Sequence, residues 1–451
     1  MYCSFIPPYL LHRLVTADAH RSVAASGQLT LRIDDQLRSQ RARSPRTLQQ
    51  AQAGDAATRL VHDAQQTEEL PGKIARKHGD PATGDSAVDE AFESSQRVWD
   101  LFADEFNRVS VDGNGTSLSV TVHYGQDYDN AFWDGRQLVF GDGDGEIFER
   151  FTKPMDVMAH EFAHGVTQFT AGLAYQGQPG ALNESVSDAF AAMTRQKLLG
   201  QTADKADWLI GASIFRPGVK ARALRSMTEP GTAYDDPRLG QDPQVGSMSH
   251  YVDTEEDSGG VHINSGIPNR AFARAAIGIG GYSWERAGQV WYDALTSGEV
   301  IAQTDFAGFA RATVSSAARL FPQDVRVVDL VTAAWAEVGV AVTDSQPPPA
   351  AVGSGATTQL IAVRRSGGFA GLVRAGELDL DADPDGPEVR DLLTAVDLQG
   401  LTSHPAAPDR FVYTLEYGPH RVTLPEQDLT PELHRVVQLV LGNRRGPLGL
   451  S

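Results

Sequence analysis

The chain has 451 residues, 58 acidic against 39 basic side chains, a formal net charge of −19 and 41% hydrophobic residues. That length exceeds one ordinary domain, the apolar content suffices for sizeable cores, and an acidic total without a basic stretch argues against a nucleic-acid partner. The only cysteine is Cys3, so no internal disulfide forms, and no stretch is long and apolar enough to span a membrane.

The N-terminal segment from Met1 to Leu11 lacks a basic first region, and Pro7 and Pro8 interrupt its short apolar run before His12 and Arg13 follow. It does not read as a conventional export signal, which leaves a cytoplasmic protein or one exported by another route. The stretch from Arg38 to Gly54 is rich in Arg, Gln, Ser and Ala, with Arg41, Arg43 and Arg46. Such a polar run is an exposed processing site, and the junction is expected near residue 50.

Next along the chain, the spacing of Val157, Met158, Phe162 and Val166 predicts a helix, with Thr152 as N-cap, Pro154 in the first turn and Gly172 as the stop. It carries His160-Glu161-Phe162-Ala163-His164. Two histidines four apart point the same way, where both can hold one zinc ion, and Glu161 beside them can take a proton from water. A second helix is expected from Leu182 to Leu199, between Gly180 and Gly200. Its Glu184 supplies a third ligand and leaves the fourth position open for water, and two His with one Glu is a ligand set that catalytic zinc sites use. Asp188, one turn later, can orient a zinc-binding imidazole. A structural zinc is disfavoured, because such sites close with four ligands rich in cysteine.

Residues 342–358, with Pro347-Pro348-Pro349 and Gly353-Ser354-Gly355, read as a linker. Beyond it, strands are expected at 360–365 and 371–374, a helix at 386–397, a hairpin from 410–415 and 420–424, and a helix at 430–441. That makes a small α+β domain of about ninety residues.

The stretch from Asn130-Ala131-Phe132-Trp133 through Gly141-Asp142-Gly143-Asp144-Gly145, the zinc helix, Gly172-Leu173-Ala174-Tyr175-Gln176, Asn183-Glu184-Ser185-Val186-Ser187-Asp188, Arg225-Ser226-Met227 and Gly259-Gly260-Val261-His262-Ile263-Asn264-Ser265-Gly266 resembles the thermolysin-like metallopeptidases, across roughly residues 70–341. The resemblance implies an α+β fold of two lobes, a β-rich N-terminal one carrying the zinc helix (51–175) and a helical C-terminal one (176–341). It implies zinc ligands His160, His164 and Glu184, general base Glu161, oxyanion donors His262 and Tyr175, and Asp257 as the carboxylate that holds His262. By the same resemblance Arg225 grips a substrate carbonyl, and Asn130 and Ala131 lie on an edge that pairs with extended substrate. Phe148, Phe151, Val157, Ile210 and Leu224 match the pocket for the side chain after the cut bond, so cleavage on the N-terminal side of large hydrophobic residues is expected.

One departure concerns calcium. Positions that bind a calcium pair in family members keep Asp156 and Asp207 but carry Arg195, Leu209 and Ala212, which removes most oxygen ligands. The paired site is expected to be lost, with Arg195 pairing with the remaining acids.

The N-terminal segment is similar to the short propeptide of protealysin-type members, giving a propeptide over 1–50. The region 359–451, which starts near Arg364-Arg365-Ser366-Gly367-Gly368-Phe369-Ala370-Gly371, is similar to emfourin, a small proteinaceous inhibitor associated with such proteases. Enzyme and inhibitor would then share one chain, with a tether effective concentration on the order of millimolar. Cys3 admits two readings: a thiolate in the open zinc position, or an incidental buried thiol while the Pro-Pro-Tyr-Leu segment fills the cleft. The second is preferred, because one cysteine carries no spacing information. The whole reads as a monomeric zinc endopeptidase precursor acting on proteins or peptides. Its rivals are a latent zinc scaffold that binds protein and a zinc aminopeptidase.

Overall fold

The structure is a computed structural model that describes residues 3–16, 21–43, 58–342, 360–367, 374–380, 383–396, 411–417 and 420–441. The expected processing junction near residue 50, and all of the expected linker but residue 342, lie outside these ranges. The chain divides into two compact units that part at residue 345.

In the larger unit the elements run β1 (Cys3–Ser4), α1 (Pro8–Thr16), α2 (Arg21–Arg43), β2 (Arg59–Asp63), β3 (Lys73–Lys77), α3 (Ser86–Phe106), β4 (Leu118–Val122), β5 (Ala131–Trp133) and β6 (Leu138–Phe140). Six strands form one sheet in the order β1-β5-β6-β4-β2-β3, with β2, β4 and β6 parallel and the other pairings antiparallel. The N-terminal strand therefore covers an edge that β5 would otherwise expose. Helix α3 begins where Asp85 accepts from the Ala87 and Val88 amides at 2.9 and 3.2 Å and ends at Asn107 in the left-handed region. Its apolar stripe of Val88, Ala91, Val98, Leu101 and Phe102 closes the core beneath the sheet.

Two helices then cross the middle of the unit, α4 (Met155–Gln168) and α5 (Gly177–Leu199). Both are buried around most of their circumference, polar residues included, which is the pattern of a central helix rather than a surface one. Their ends differ from expectation. Thr152 caps nothing, because its hydroxyl donates to Glu90 at 2.9 Å, and Pro154 stands at the N-cap. Helix α4 stops at Gln168, and Gly172, left-handed with φ 62°, donates from its amide to the Thr167 carbonyl at 2.7 Å. Helix α5 starts at Gly177, a turn before the expected Leu182, while Gly200 closes it as expected in the left-handed conformation.

The rest of the unit holds the short strands β7 (Leu209–Ile210), β8 (Arg225–Ser226), β9 (Asp235–Asp236) and β10 (Gly240–Gln241), then α6 (Asp257–Asn264), α7 (Gly266–Ile279), α8 (Ala287–Thr296), α9 (Phe306–Leu320) and α10 (Val325–Glu337). Trp291 and Trp335 stack at 6.1 Å in this helical lobe, and the Trp335 indole donates to Thr313 at 2.9 Å.

The smaller unit is a four-stranded antiparallel sheet, β12-β11-β13-β14, built from β11 (Leu360–Gly367), β12 (Arg374–Asp379), β13 (Phe411–Tyr417) and β14 (His420–Pro425), with helices α11 (Gly386–Thr394) and α12 (Pro431–Leu441). Ile361, Val363, Val389, Leu415, Leu433 and Val436 form its own core. The second strand starts at Arg374, where the sequence pattern placed its end, and 371–373 lie outside the described residues. The first strand, the hairpin and the last helix fall within two residues of where their periodicity put them, while α11 ends at Thr394, short of the expected 397.

Candidate active site

Helix α4 is held close under the sheet by a missing side chain. A Cβ at Gly165 would lie 2.8 Å from Val111 and 3.3 Å from the Trp133 ring, so only glycine allows this approach. The result brings His160, Glu161 and His164 against strand β5, all with no exposed surface. Helix α5 packs beside α4 and adds Glu184 and Asp188, equally buried.

The two imidazoles face each other, Nε2 to Nε2, at 3.0 Å. Glu184 Oε2 lies 3.3 Å from the His160 nitrogen and Glu184 Oε1 lies 3.5 Å from the His164 nitrogen. A tetrahedral zinc with bonds of about 2.0–2.2 Å separates its ligand atoms by roughly 3.4 Å, so the three residues fit that ion. Glu184 Oε2 and both Glu161 oxygens are buried with no hydrogen-bond partner, acceptors that converge on one point. Burial drives His164 down to about 3, while His160, against its burial, is raised to about 9 by Asp188 and Glu184. Each ring is aimed from behind: Asp188 meets His160 Nδ1 at 2.9 Å, and Asn183 and Ser187 meet His164 Nδ1 at 2.8 and 3.1 Å. Burial also pushes the Glu161 carboxyl up to about 8, a strength suited to taking and returning a proton near neutrality.

Across this point stand His262 and Tyr175. A reversal of chain direction places them: Ser258, Gly259 and Gly260 take left-handed φ of 53°, 81° and 69° inside α6, and Gly259 approaches Gly177 too closely for any Cβ. Asp257 then meets His262 Nδ1 at 2.6 Å and also accepts the His262 amide. Burial works against the imidazolium, but Asp257 and Glu184 raise it above its ordinary range. The Tyr175 hydroxyl donates to Glu184, and burial holds its pKa well above 10, so it stays a donor.

The third feature is the occupant of the cleft. Strand β1 pairs with β5 in the register Cys3 to Trp133 and Ser4 to Phe132, and the Phe5 amide donates to the Ala131 carbonyl at 3.0 Å. Asn130 accepts the Ile6 amide at 2.8 Å and donates to the Ile6 carbonyl at 3.2 Å. His262 Nε2 stands 3.0 Å from the Ser4 carbonyl, and Arg225 donates to the Phe5 carbonyl at 3.3 Å while two more of its nitrogens grip Asp188 at 2.7 Å. The Phe5 ring lies edge-on to His160 at 5.3 Å and under the Arg225 guanidinium at 4.9 Å. The face that the sequence assigned to extended substrate is thus paired with the chain's own N-terminus. Cys3, buried, comes within 4.8 Å of ligand atoms of His164 and Glu184.

The five expected pocket residues are all buried and share one core cluster with Phe5. Leu224 comes alongside: a Cβ at Gly211 would touch both Leu224 and the Phe5 ring, at 3.2 and 3.3 Å. Ile210 joins Leu224 through its carbonyl, which accepts the Leu224 amide at 2.9 Å. Val157 stands one turn before Glu161, while Phe148 and Phe151 pack on each other at 5.8 Å. At the positions where a calcium pair is expected to be lost, Arg195 grips Asp207, with one bond of 2.8 Å, and Asp156 accepts the Gly211 amide at 2.7 Å.

Sequence reasoning missed several partners. Asn183 sits beside Glu184 within the quoted motif, so a helical wheel would have found it. Asn269, which donates to Asp188 at 2.8 Å, and Asp34, which accepts from Asn130 at 3.0 Å and Tyr128 at 2.6 Å, carry no local signal. Tyr175, Asp257 and His262 line a cavity of about 200 Å³ together with Ser4 of the N-terminal segment; a larger one of about 540 Å³ beside 219–241 holds none of them.

Comparison with known proteins accords with this geometry. The thermolysin metallopeptidase catalytic domain matches residues 25–168, its alpha-helical domain residues 171–340, and emfourin residues 363–441. The chain is 50% identical over 340 residues to an extracellular metalloprotease of Pectobacterium carotovorum subsp. carotovorum, covering 75% of this chain and 97% of the relative. It is 41% identical to protease PrtS of Photorhabdus sp. (strain Az29), covering 76% and 93%. A solved structure described as the precursor of protealysin, a metalloproteinase from Serratia proteamaculans, superposes with a TM-score of 0.69 at 47% identity, over 75% of this chain and 100% of that one.

Proposed function

The chain belongs to the thermolysin family of metallopeptidases, and from that premise we propose a zinc endopeptidase made as a precursor, whose own N-terminal segment occupies the substrate cleft. The observation that carries this reading is the fit of one extended segment to every substrate-facing group at once: β5 by its backbone, Asn130 by its amide, Arg225 and His262 by carbonyl contacts.

Zinc held by His160, His164 and Glu184 supplies Lewis acidity to a water and to the scissile carbonyl. Everything else falls to the protein. Glu161 takes the proton from the attacking water and hands it to the departing amine, a role that its buried, hydrogen-bond-free oxygens support. His262, held by Asp257, and the Tyr175 hydroxyl donate to the developing oxyanion. Arg225 fixes the following carbonyl, with Asp188 locking the guanidinium in place. The Phe5 ring, seated between His160, Arg225 and Leu224, supports a preference for a large apolar side chain just after the cut bond.

In this reading residues 1–50 are a propeptide, 51–175 and 176–341 the catalytic lobes, 342–358 a linker and 359–451 an inhibitor-like domain that restrains the enzyme. The calcium pair is lost, because Arg195 takes the place of its oxygens. Among the described residues no helix is long and apolar enough to cross a membrane, and the name of the Pectobacterium relative supports action outside the cell. Time-resolved intact-mass spectrometry of the full chain with zinc tests the reading: fragments starting near residue 50 are expected, and Glu161→Ala is expected to stay whole. If both stay whole, residues 51–341, freed of both flanking segments, that bind zinc but still fail to cut a denatured protein refute the peptidase reading. Release of single terminal residues instead of internal cuts would favour an aminopeptidase.

A further inference from the structure

Residues i and i+2 of a strand share a face, so the pairing of β1 with β5 sets Cys3 and Phe5 on one side and Ser4 on the other. Phe5 meets His160 edge-on at 5.3 Å. Two residues earlier along the same face, the Cys3 sulfur lies within 4.8 Å of a His164 nitrogen and a Glu184 oxygen that are themselves buried. A lone thiol would mean little. Here it stands within 4.8 Å of a ligand atom of Glu184, whose Oε2 is buried with no hydrogen-bond partner.

We propose that Cys3 is the fourth protein ligand of the zinc ion in the precursor, and that this bond keeps the enzyme latent. The inference rests on the zinc-peptidase reading and deepens it into regulation of the same site. Sulfur and zinc form one bond as the thiol S–H bond breaks, and the proton leaves to solvent. Two His, one Glu and one Cys close the tetrahedron, whereas a catalytic zinc keeps one position open. The segment that carries Cys3 also places the Ser4 carbonyl at 3.0 Å from His262 and the Phe5 carbonyl on Arg225, so the donors that substrate needs are engaged as well. The chain is held like a substrate on both sides of Ser4, and the thiol denies the water its place. Removing the N-terminal segment frees the zinc position and the donors in one step.

The test uses the full-length chain carrying Glu161→Gln, which keeps all proposed ligands and stops self-processing, loaded with cobalt in place of zinc. A thiolate-to-cobalt charge-transfer band in the near ultraviolet is expected, and Cys3→Ser should abolish it while the visible bands of a four-coordinate ion remain. On the zinc form with Cys3 intact, X-ray absorption should show one sulfur at about 2.3 Å, which does not depend on how the serine variant folds. Stoichiometric metal with neither the band nor the sulfur would overturn the proposal and leave the peptidase reading intact. Failure to bind metal at all would overturn both.

Discussion

Helix α5 carries two polar clusters of different kinds. Near its middle, Glu184 faces His160 and His164 with Glu161 close by, and three of the four carboxylate oxygens have no hydrogen-bond partner. About three turns on, Arg195 grips Asp207, and Asp156 takes the Gly211 amide, so both acids are answered by donors of the chain itself. The difference teaches that a metal site is made by acceptors that converge and stay unanswered, not by a count of acidic residues. In the second cluster Arg195 and Asp207 form an ordinary ion pair.

The largest expected effect is on turnover. Glu161→Gln should lower peptide hydrolysis about a hundred- to ten-thousand-fold with zinc content by atomic absorption unchanged. Loss of the zinc would make Glu161 a ligand and erase the distinction drawn for the first cluster. Next comes Asp188→Asn, which leaves the buried Arg225 charge without its partner and loosens His160. It should cost about 3–5 kcal/mol in urea unfolding and weaken zinc about 10–100-fold in chelator competition. A change of stability within about 0.5 kcal/mol would show that this acid is no more bound into the site than a surface residue.

His123 offers a surface counterpart to the buried histidines. It lies 2.8 Å from Asp142 and 3.2 Å from Asp85. The Asp142 hydrogen bond above all raises it to about 9. Its folded pKa exceeds the unfolded value of about 6.5, so the stability it contributes is full below that pH and is lost as pH rises through 9. With solvent screening this amounts to about 1 kcal/mol. Urea unfolding at the two pH values should show that drop in the wild type and lack it in His123→Gln; an equal drop in both would remove His123 as the cause. The smallest effect is expected at the second cluster: millimolar calcium added to the zinc-loaded protein should move Tm by less than about 1 °C, because an ion stabilises only in proportion to its binding. A rise of several degrees would mean that the two clusters are both metal sites.

Much of this was legible in the sequence because its periods are local. The i,i+4 spacing put His160 and His164 on one helix face, the turn from Glu184 to Asp188 put the third ligand and its neighbour on another, and alternation marked β11, β13 and β14. The errors sit at element ends. Thr152 has the chemistry of an N-cap, but Glu90, some sixty residues earlier in the chain, claims its hydroxyl. Gly177 opens α5 in the left-handed conformation, with φ 54°, and Gly259 packs against its backbone from far along the chain, which no window of adjacent residues reveals.

The sequence by itself determined the family and the facing pair His160 and His164, since a helix motif needs only the residues of one or two turns. What only the tertiary structure decided is the company these groups keep: Asn269 behind Asp188, Asp34 behind Asn130, and Cys3 opposite Trp133 with its sulfur beside His164. The physical reason is that such contacts join segments up to more than a hundred residues apart through sheet register and helix packing. A lone cysteine carries no period from which that register could be read.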